Sequence, residues 1–166
     1  MTDTPLERLP RAEIEARQLV LLQKLLAAID GPNAFWTKKY ADAGVKLASI
    51  RTLDDFRRLP FCTKHELVAD QNAHGPFGTN LTYPRNDYCR LHQTSGTTGR
   101  PMRWLDTADS WNWFMRCWSQ IYRLAGVTPD DVLAFPFSFG PFIGFWAAFD
   151  GSHRQGNLSI PMGGMS

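Results

Sequence analysis

Residues 93–101 read Gln-Thr-Ser-Gly-Thr-Thr-Gly-Arg-Pro, a run of hydroxyl side chains broken by two glycines and closed by an arginine. Backbone N–H groups exposed in a Gly-rich turn converge on an anion. Ser95, Thr97 and Thr98 add hydroxyl donors, and the planar fork of Arg100 suits phosphate oxygens. Glycine takes positive φ and lets the backbone lie close to a ligand. The spacing is not that of a Walker loop, because Gly96 and Gly99 are three apart and no Lys-Ser/Thr pair follows; nor does a GxGxxG follow any strand. On residue types alone two readings stand: a cradle for polyphosphate, or an ordinary Thr/Gly-rich loop.

The surrounding pattern predicts the elements that hold this loop. Tyr88 to Gln93 suits a strand entering it, with Tyr88, Cys89 and Leu91 available for burial, and Met102 to Leu105 suits a short strand leaving it. Trp111, Phe114, Met115, Trp118, Tyr122 and Ala125 then recur at spacings of three and four, a strongly amphipathic helix stopped by Gly126. Its tryptophan stripe reads as core rather than as a binding face. Strands over 132–137 and 158–161 with a helix over 144–153 complete a strand–helix alternation. That order predicts an α/β fold with parallel crossovers. Upstream, Ile14, Leu21, Leu22, Leu25, Leu26 and Ile29 mark a helix ended by Asp30-Gly31-Pro32. Asn33 caps a second helix ending at Gly44. Thr52 and Thr63 each open a capping box. Residues 71–84, rich in Gly, Pro, Asn and Thr, read as a loop or linker. The division expected is a helical region over 1–58 and an α/β part over 59–166.

Bulk properties narrow the function classes. The chain has 166 residues, 43% of them apolar, enough for a packed core rather than whole-chain disorder. With 18 basic and 16 acidic residues the net charge is +2, which carries no nucleic-acid footprint and favours a small molecule or another protein as partner. Cys62, Cys89 and Cys117 form no CxxC pair, so neither a disulfide scaffold nor a zinc knuckle is indicated, and reduced thiols in the cytoplasm are expected. The four histidines, 65, 74, 92 and 153, pair with no cysteine at ligand spacing, so no metal site is expected. His92 stands out only because it enters the loop. Residues 1–18 are charged and unlike a signal peptide. Val132 to Phe149 carries no charge, reaches the length of a membrane helix and holds Gly140 and Gly144 in a GxxxG pattern, but Pro136 and Pro141 break it. A buried strand, a turn and a buried helix are expected there, and no membrane span.

Thr94-Ser95-Gly96-Thr97-Thr98-Gly99-Arg100-Pro101 resembles the phosphate loop of the adenylate-forming superfamily, the acyl-CoA synthetases and their relatives. Leu59-Pro60-Phe61-Cys62-Thr63-Lys64, Gly75-Pro76-Phe77-Gly78, Leu91-His92-Gln93, the stretch from Ala125 to Val132, and Ile160-Pro161-Met162-Gly163-Gly164 are similar in order and spacing to its phenylacetate–CoA ligase branch. The resemblance runs from about residue 33 to the end. It implies the start of an AMP-binding α/β domain behind an N-terminal helical region. It implies ATP-dependent activation of a carboxylic acid, an aromatic one by preference, as an acyl-adenylate, then transfer to coenzyme A, with Mg2+ assisting. Thr94, Ser95, Gly96, Thr97, Thr98, Gly99 and Arg100 would bind the phosphates of ATP. Phe137, Phe139, Gly140 and Phe142 would line the acyl pocket, although the residues themselves leave plain core equally open. The chain departs from the family in Met102, where many members have lysine, and in the two prolines and Trp146 of the aromatic stretch. Complete members are more than twice this length, so the chain is expected to be an N-terminal fragment, inactive alone, with catalytic residues beyond residue 166. The alternatives are a truncated, non-catalytic module that binds phosphate or self-associates, as a homodimer for example, and a ligase that adenylates a different acid or a cofactor.

Overall fold

The computed structural model describes residues 6–94, 96 and 101–164. The chain falls into two units, Met1–Arg85 and Asn86–Ser166, each with its own core.

In the first unit, α1 spans Arg11–Ile29, α2 Ala34–Asp42, α3 Leu53–Phe56 and α4 Lys64–Ala73. Leu22, Leu26 and Ile29 turn one face of α1 inward, and Leu26 and Ile29 meet Tyr40 and Ile50 in the buried cluster. Trp36, Val45, Leu47, Phe56 and Leu59 pack around it. α1 stops where expected, with the Asp30 N–H still bonded to Leu26 O and Gly31 at φ 87°. Asn33 caps α2, its Oδ1 accepting from the Trp36 N–H at 3.2 Å. Its Nδ2 also donates to Asn80 Oδ1 and Thr82 Oγ1, both at 3.0 Å, which ties the helix start to a distant segment. Both capping boxes form, Thr52 with Asp55 and Thr63 with Glu66. Glu66 has a second task, because Lys39 Nζ of α2 donates to its Oε1 at 2.5 Å.

The stretch expected as a loop from residue 71 is partly helical. α4 continues to Ala73, and the turn beyond it is folded back onto the helix by Asp70. That carboxylate accepts from the Thr79 N–H at 2.6 Å and the Thr79 hydroxyl at 2.7 Å. Gly78 sits at φ 77°, and a Cβ there would lie 2.3 Å from Asp70 Oδ2, so both conformation and space demand glycine.

The second unit contains β1 (Tyr88–Gln93), β2 (Arg103–Thr107), α5 (Ala108–Leu124), β3 (Val132–Phe135), α6 (Ile143–Gln155) and β4 (Leu158–Pro161). The order of elements follows the sequence pattern, but the pairing is more divided than a single parallel sheet. Among the described residues, β1 and β2 form an antiparallel pair with Leu91 opposite Leu105 and His92 opposite Trp104. β3 and β4 form a separate parallel pair, Val132 opposite Leu158 through Phe135 opposite Pro161. Parallel crossover therefore holds for β3–α6–β4 alone. The nine residues between β1 and β2, 94–102, are enough for an antiparallel return but too few for the crossover that a parallel pair needs.

α5 and α6 hold this unit together. Trp111 and Met115 of α5 and Ala147 of α6 form its buried centre, flanked by Trp118, Ile143 and Trp146, as the stripe predicted. The helices approach closely at Gly151, where a Cβ would stand 2.5 Å from the Trp118 Cβ. Tyr122 donates its hydroxyl to Ala148 O at 2.8 Å across the same seam. The uncharged stretch 132–149 divides into β3, a turn and the start of α6, and no described helix is long and apolar enough to cross a membrane.

Candidate functional site

The strand that leads into the loop carries its polar side chains inward. Cys89 and Leu91, expected to be buried, are exposed, Leu91 at 39%, while His92 on the opposite face is 4% exposed. The inversion is set by side chains of α5 and α6. The His92 imidazole stacks on the Trp111 indole with ring centres 4.9 Å apart and planes at 22°. The Arg90 guanidinium lies 4.3 Å from the Trp111 ring centre, a cation–π contact. Arg90 Nη2 reaches Asp150 Oδ2 of α6 at 2.6 Å, and the same oxygen accepts the Trp111 Nε1–H at 2.9 Å. The partners of β1 are thus an indole and a carboxylate, and they draw Arg90 and His92 toward the helices.

His92 is held neutral. Burial pushes its pKa below the ordinary histidine value, more strongly than the nearby Asp106 carboxylate raises it. Its Nδ1 lies 3.5 Å from Asp106 Oδ2, and neither atom completes a hydrogen bond. The other oxygen of Asp106 accepts the Ser110 hydroxyl at 3.0 Å.

Beyond His92 the backbone closes a neck. The Gln93 N–H donates to Pro141 O at 2.7 Å, the Thr94 N–H to Met102 O at 3.0 Å, and the Met102 N–H to Thr94 Oγ1 at 3.0 Å. Thr94 therefore stands at the base of the loop, its hydroxyl oxygen accepting the Met102 N–H. Gly96 takes φ 68°, the left-handed region that glycine opens. Ser95, Thr97, Thr98, Gly99 and Arg100, the other phosphate-binding candidates, lie outside the described residues.

The aromatic candidates gather around the segment that receives the Gln93 bond. Phe137 stacks on Phe145 at 4.1 Å and leans on Phe139 at 5.5 Å. Phe139 meets Trp146 at 4.7 Å and Phe149 at 5.3 Å, and Phe142 meets Phe145 at 4.8 Å. Gly140 lies at φ 47°, and its carbonyl accepts the Trp146 Nε1–H at 2.7 Å. Phe135 at 6% exposure belongs to the core, whereas Phe142 at 43% is open to solvent. Gly163 packs against the turn from the other side, where a Cβ would be 2.5 Å from Phe137 O. The strand end that leads into the polyphosphate candidate and the aromatic candidate are therefore joined, through Gln93 and Pro141. Among the described residues no group of three or more His, Cys, Asp or Glu side chains could hold a metal. Sequence reasoning singled out His92 but missed Arg90, Asp106 and Asp150. The signal available was the alternation of Arg90 and His92 along one face of a strand.

No family model matches the chain. Its sequence is 30% identical over 164 residues to phenylacetate-coenzyme A ligase of Thermus thermophilus, covering 99% of the chain and 36% of that protein. It is 29% identical to the Escherichia coli enzyme of the same name, covering 99% of the chain and 37% of the relative. By sequence, the chain is similar to phenylacetate-coenzyme A ligases. The fold agrees. A 2-hydroxyisobutyryl-CoA ligase, in complex with 2-HIB-AMP and CoA in the thioesterification state, matches 100% of the chain and 36% of its own length, with a TM-score of 0.89 and 28% identity. An open conformation of that ligase gives 0.88 and 26% identity over 100% of the chain. The chain spans about a third of the length of these CoA ligases. Within that third lie the neck of the Thr94–Pro101 loop and the aromatic turn.

Proposed function

We propose that this chain is the part of an ATP-dependent acid–CoA ligase that holds the triphosphate of ATP and walls one side of the acyl pocket. The observation that carries the reading is the match of nearly the whole chain, in sequence and in fold, to CoA ligases, with the strand end that leads into the glycine–hydroxyl run bonded to the aromatic turn through Gln93 and Pro141. In the first half-reaction the carboxylate oxygen of the acid attacks the α-phosphorus of ATP and pyrophosphate leaves. In the second, the thiol of coenzyme A attacks the acyl carbon, forming the thioester and releasing AMP. Both leaving groups carry charge that fixed donors must stabilise.

In this reading Thr94, Ser95, Gly96, Thr97, Thr98, Gly99 and Arg100 supply those donors to the phosphates. Phe137, Phe139, Gly140 and Phe142 form the apolar wall, and an aromatic acid is the favoured substrate because ring–ring contacts are already the rule there. Magnesium, when bound with ATP, would neutralise charge on the phosphates held by the Thr94–Arg100 donors. The residues that finish catalysis lie outside the third of the ligase that this chain matches, so the chain alone is expected to release no pyrophosphate. The cytoplasm, which supplies ATP and coenzyme A, is the compartment proposed for this chemistry.

The test is pyrophosphate release by the complete gene product with ATP, Mg2+, coenzyme A and a panel of arylacetic, benzoic and short hydroxy acids. Acid-dependent release, abolished by replacing Thr97, Thr98 and Arg100 together with alanine in a protein that stays folded, is the expected result. No release with any acid, or full activity in the triple variant, would overturn the reading.

A further inference from the structure

Three elements of the second unit meet at one oxygen atom. Asp150 Oδ2 on α6 takes the Arg90 guanidinium of β1 at 2.6 Å and the Trp111 indole N–H of α5 at 2.9 Å. What each element carries makes the meeting point informative. Arg90 is four residues before Thr94, so about 13 Å of extended strand at roughly 3.3 Å per residue separates the carboxylate's grip from the start of the loop. On α6, the residue before Asp150 is Phe149, whose ring meets Phe139 and Phe135 at 5.3 Å each. A second link runs in parallel through the backbone, from the Gln93 N–H to Pro141 O. The strand that leads into the loop is therefore tied to α6 through Asp150 and to the aromatic turn through Pro141.

Stability alone is a weak reason for such a carboxylate. A partly buried ion pair recovers in attraction about what it loses in desolvation, and apolar residues of similar volume commonly serve a fold as well. What a charge-assisted bond adds is direction, since a carboxylate shared by a guanidinium and an indole N–H fixes the angle between elements as well as their separation.

We infer that Asp150 is a positioning residue of the ligase site, tying the phosphate-loop strand to the helix against which the acyl-pocket rings pack, so that ATP and acid bind cooperatively. The inference rests on the ligase reading above. Asp150 touches neither substrate. It acts through Arg90 on the loop and through α6 on the pocket, so occupancy of one site sets the frame of the other. Coupling of this kind is a binding free energy and is reciprocal.

The experiment uses the complete gene product and a methylene analogue of ATP that cannot release pyrophosphate. Its dissociation constant is measured with and without a saturating acid substrate, for the wild type, Asp150→Asn, Arg90→Met and the double variant. Asparagine keeps an acceptor for Trp111 and removes the charge that holds Arg90. The wild type is expected to bind the analogue about 5-fold or more tightly in the presence of acid, the lower end of ordinary coupling. In each variant the ratio should fall to about 1 and the double variant should be no worse than either single, as for two residues acting through one contact. Where Asp150→Asn does not fold, Arg90→Lys, which keeps the charge but loses the planar fork, carries the same test. Variants that lose stability yet keep the wild-type ratio would show a merely structural role and overturn the inference while leaving the ligase reading intact. A wild type that binds no analogue and releases no pyrophosphate with any acid would overturn the ligase reading, and the inference with it.

Discussion

Asn33 offers the sharpest test of how the first unit is held together, because one side chain does two separable jobs. It is 2% exposed. Its Oδ1 caps α2 through the Trp36 N–H, and its Nδ2 donates to both Asn80 and Thr82. Alanine removes everything. Loss of an N-cap costs about 1 kcal/mol, and each long-range hydrogen bond contributes about 1 kcal/mol net. Asn33→Ala should therefore destabilise the protein by roughly 2–4 kcal/mol, the sum of the cap and the two distant bonds. Serine is an equally good cap but has no amide to donate, so Asn33→Ser should lose only the distant pair, roughly 1–2 kcal/mol. Urea unfolding followed by circular dichroism measures both, and equal m-values would license the comparison. Equal losses in the two variants would mean that the cap contributes nothing. A serine variant as stable as the wild type would mean that the tie to residues 80 and 82 contributes nothing. Either result refutes the division of labour.

Other residues give independent tests. Glu66 is drawn down to about 2, first by the hydrogen bond from Lys39 and then by Thr63; a folded-state pKa below the unfolded value stabilises above about 4.5 and is lost as pH falls toward 2. The urea midpoint should accordingly fall more steeply over that window in the wild type than in Glu66→Gln. His92 behaves in the opposite sense for a base: burial lowers its pKa, so the unfolded chain takes the proton first and stability declines as pH falls below about 6.5. A thermal midpoint that drops between pH 7.5 and 5.5 in the wild type should be flatter in His92→Gln, and identical slopes would contradict the buried, neutral assignment. Gly151→Val places a branched side chain where even a Cβ is 2.5 Å from Trp118. It should cost about 1–3 kcal/mol by forcing α5 and α6 apart, read by the same urea experiment.

Local signals carried most of the secondary structure. The 3.6-residue period of α1 and α5, the Gly and Pro stops after them, and the two capping boxes each involve residues within one or two turns, and all appear where the pattern places them. What failed was decided at a distance. The loop expected from residue 71 lost its first turn to α4 because Asp70 captures Thr79, a contact that composition does not reveal. β1 presented the wrong face because period-two alternation marks two faces without saying which is inside. Tyr88 and Leu91 made the apolar reading attractive, yet the inward side was set by Trp111, Asp106 and Asp150, up to sixty residues away. Asp150 was invisible for the same reason: an aspartate in mid-helix reads as solvated until two other elements are seen to converge on it.

The aromatic turn shows why the sequence left pocket and core as equal alternatives there. Exposure rises along the segment, from Phe135 at 6% to Phe142 at 43%. Phe135 meets Phe149 and Phe137, so its contacts are those of a core residue. Phe137 and Phe139 are half-buried and touch rings on both the strand end and α6. At the far end Phe142 packs on Phe145 with one side left to solvent. A single run of phenylalanines thus grades from core into a surface that an apolar ligand could extend, and residue type is the same throughout. Neither reading of the segment as a whole is adequate, because burying its first ring anchors the strand while exposing its last leaves a ring face unpartnered. The distinction lies in depth along the β3 end, a coordinate set by α6 and by the close approach of Gly163, both distant in sequence from Phe135.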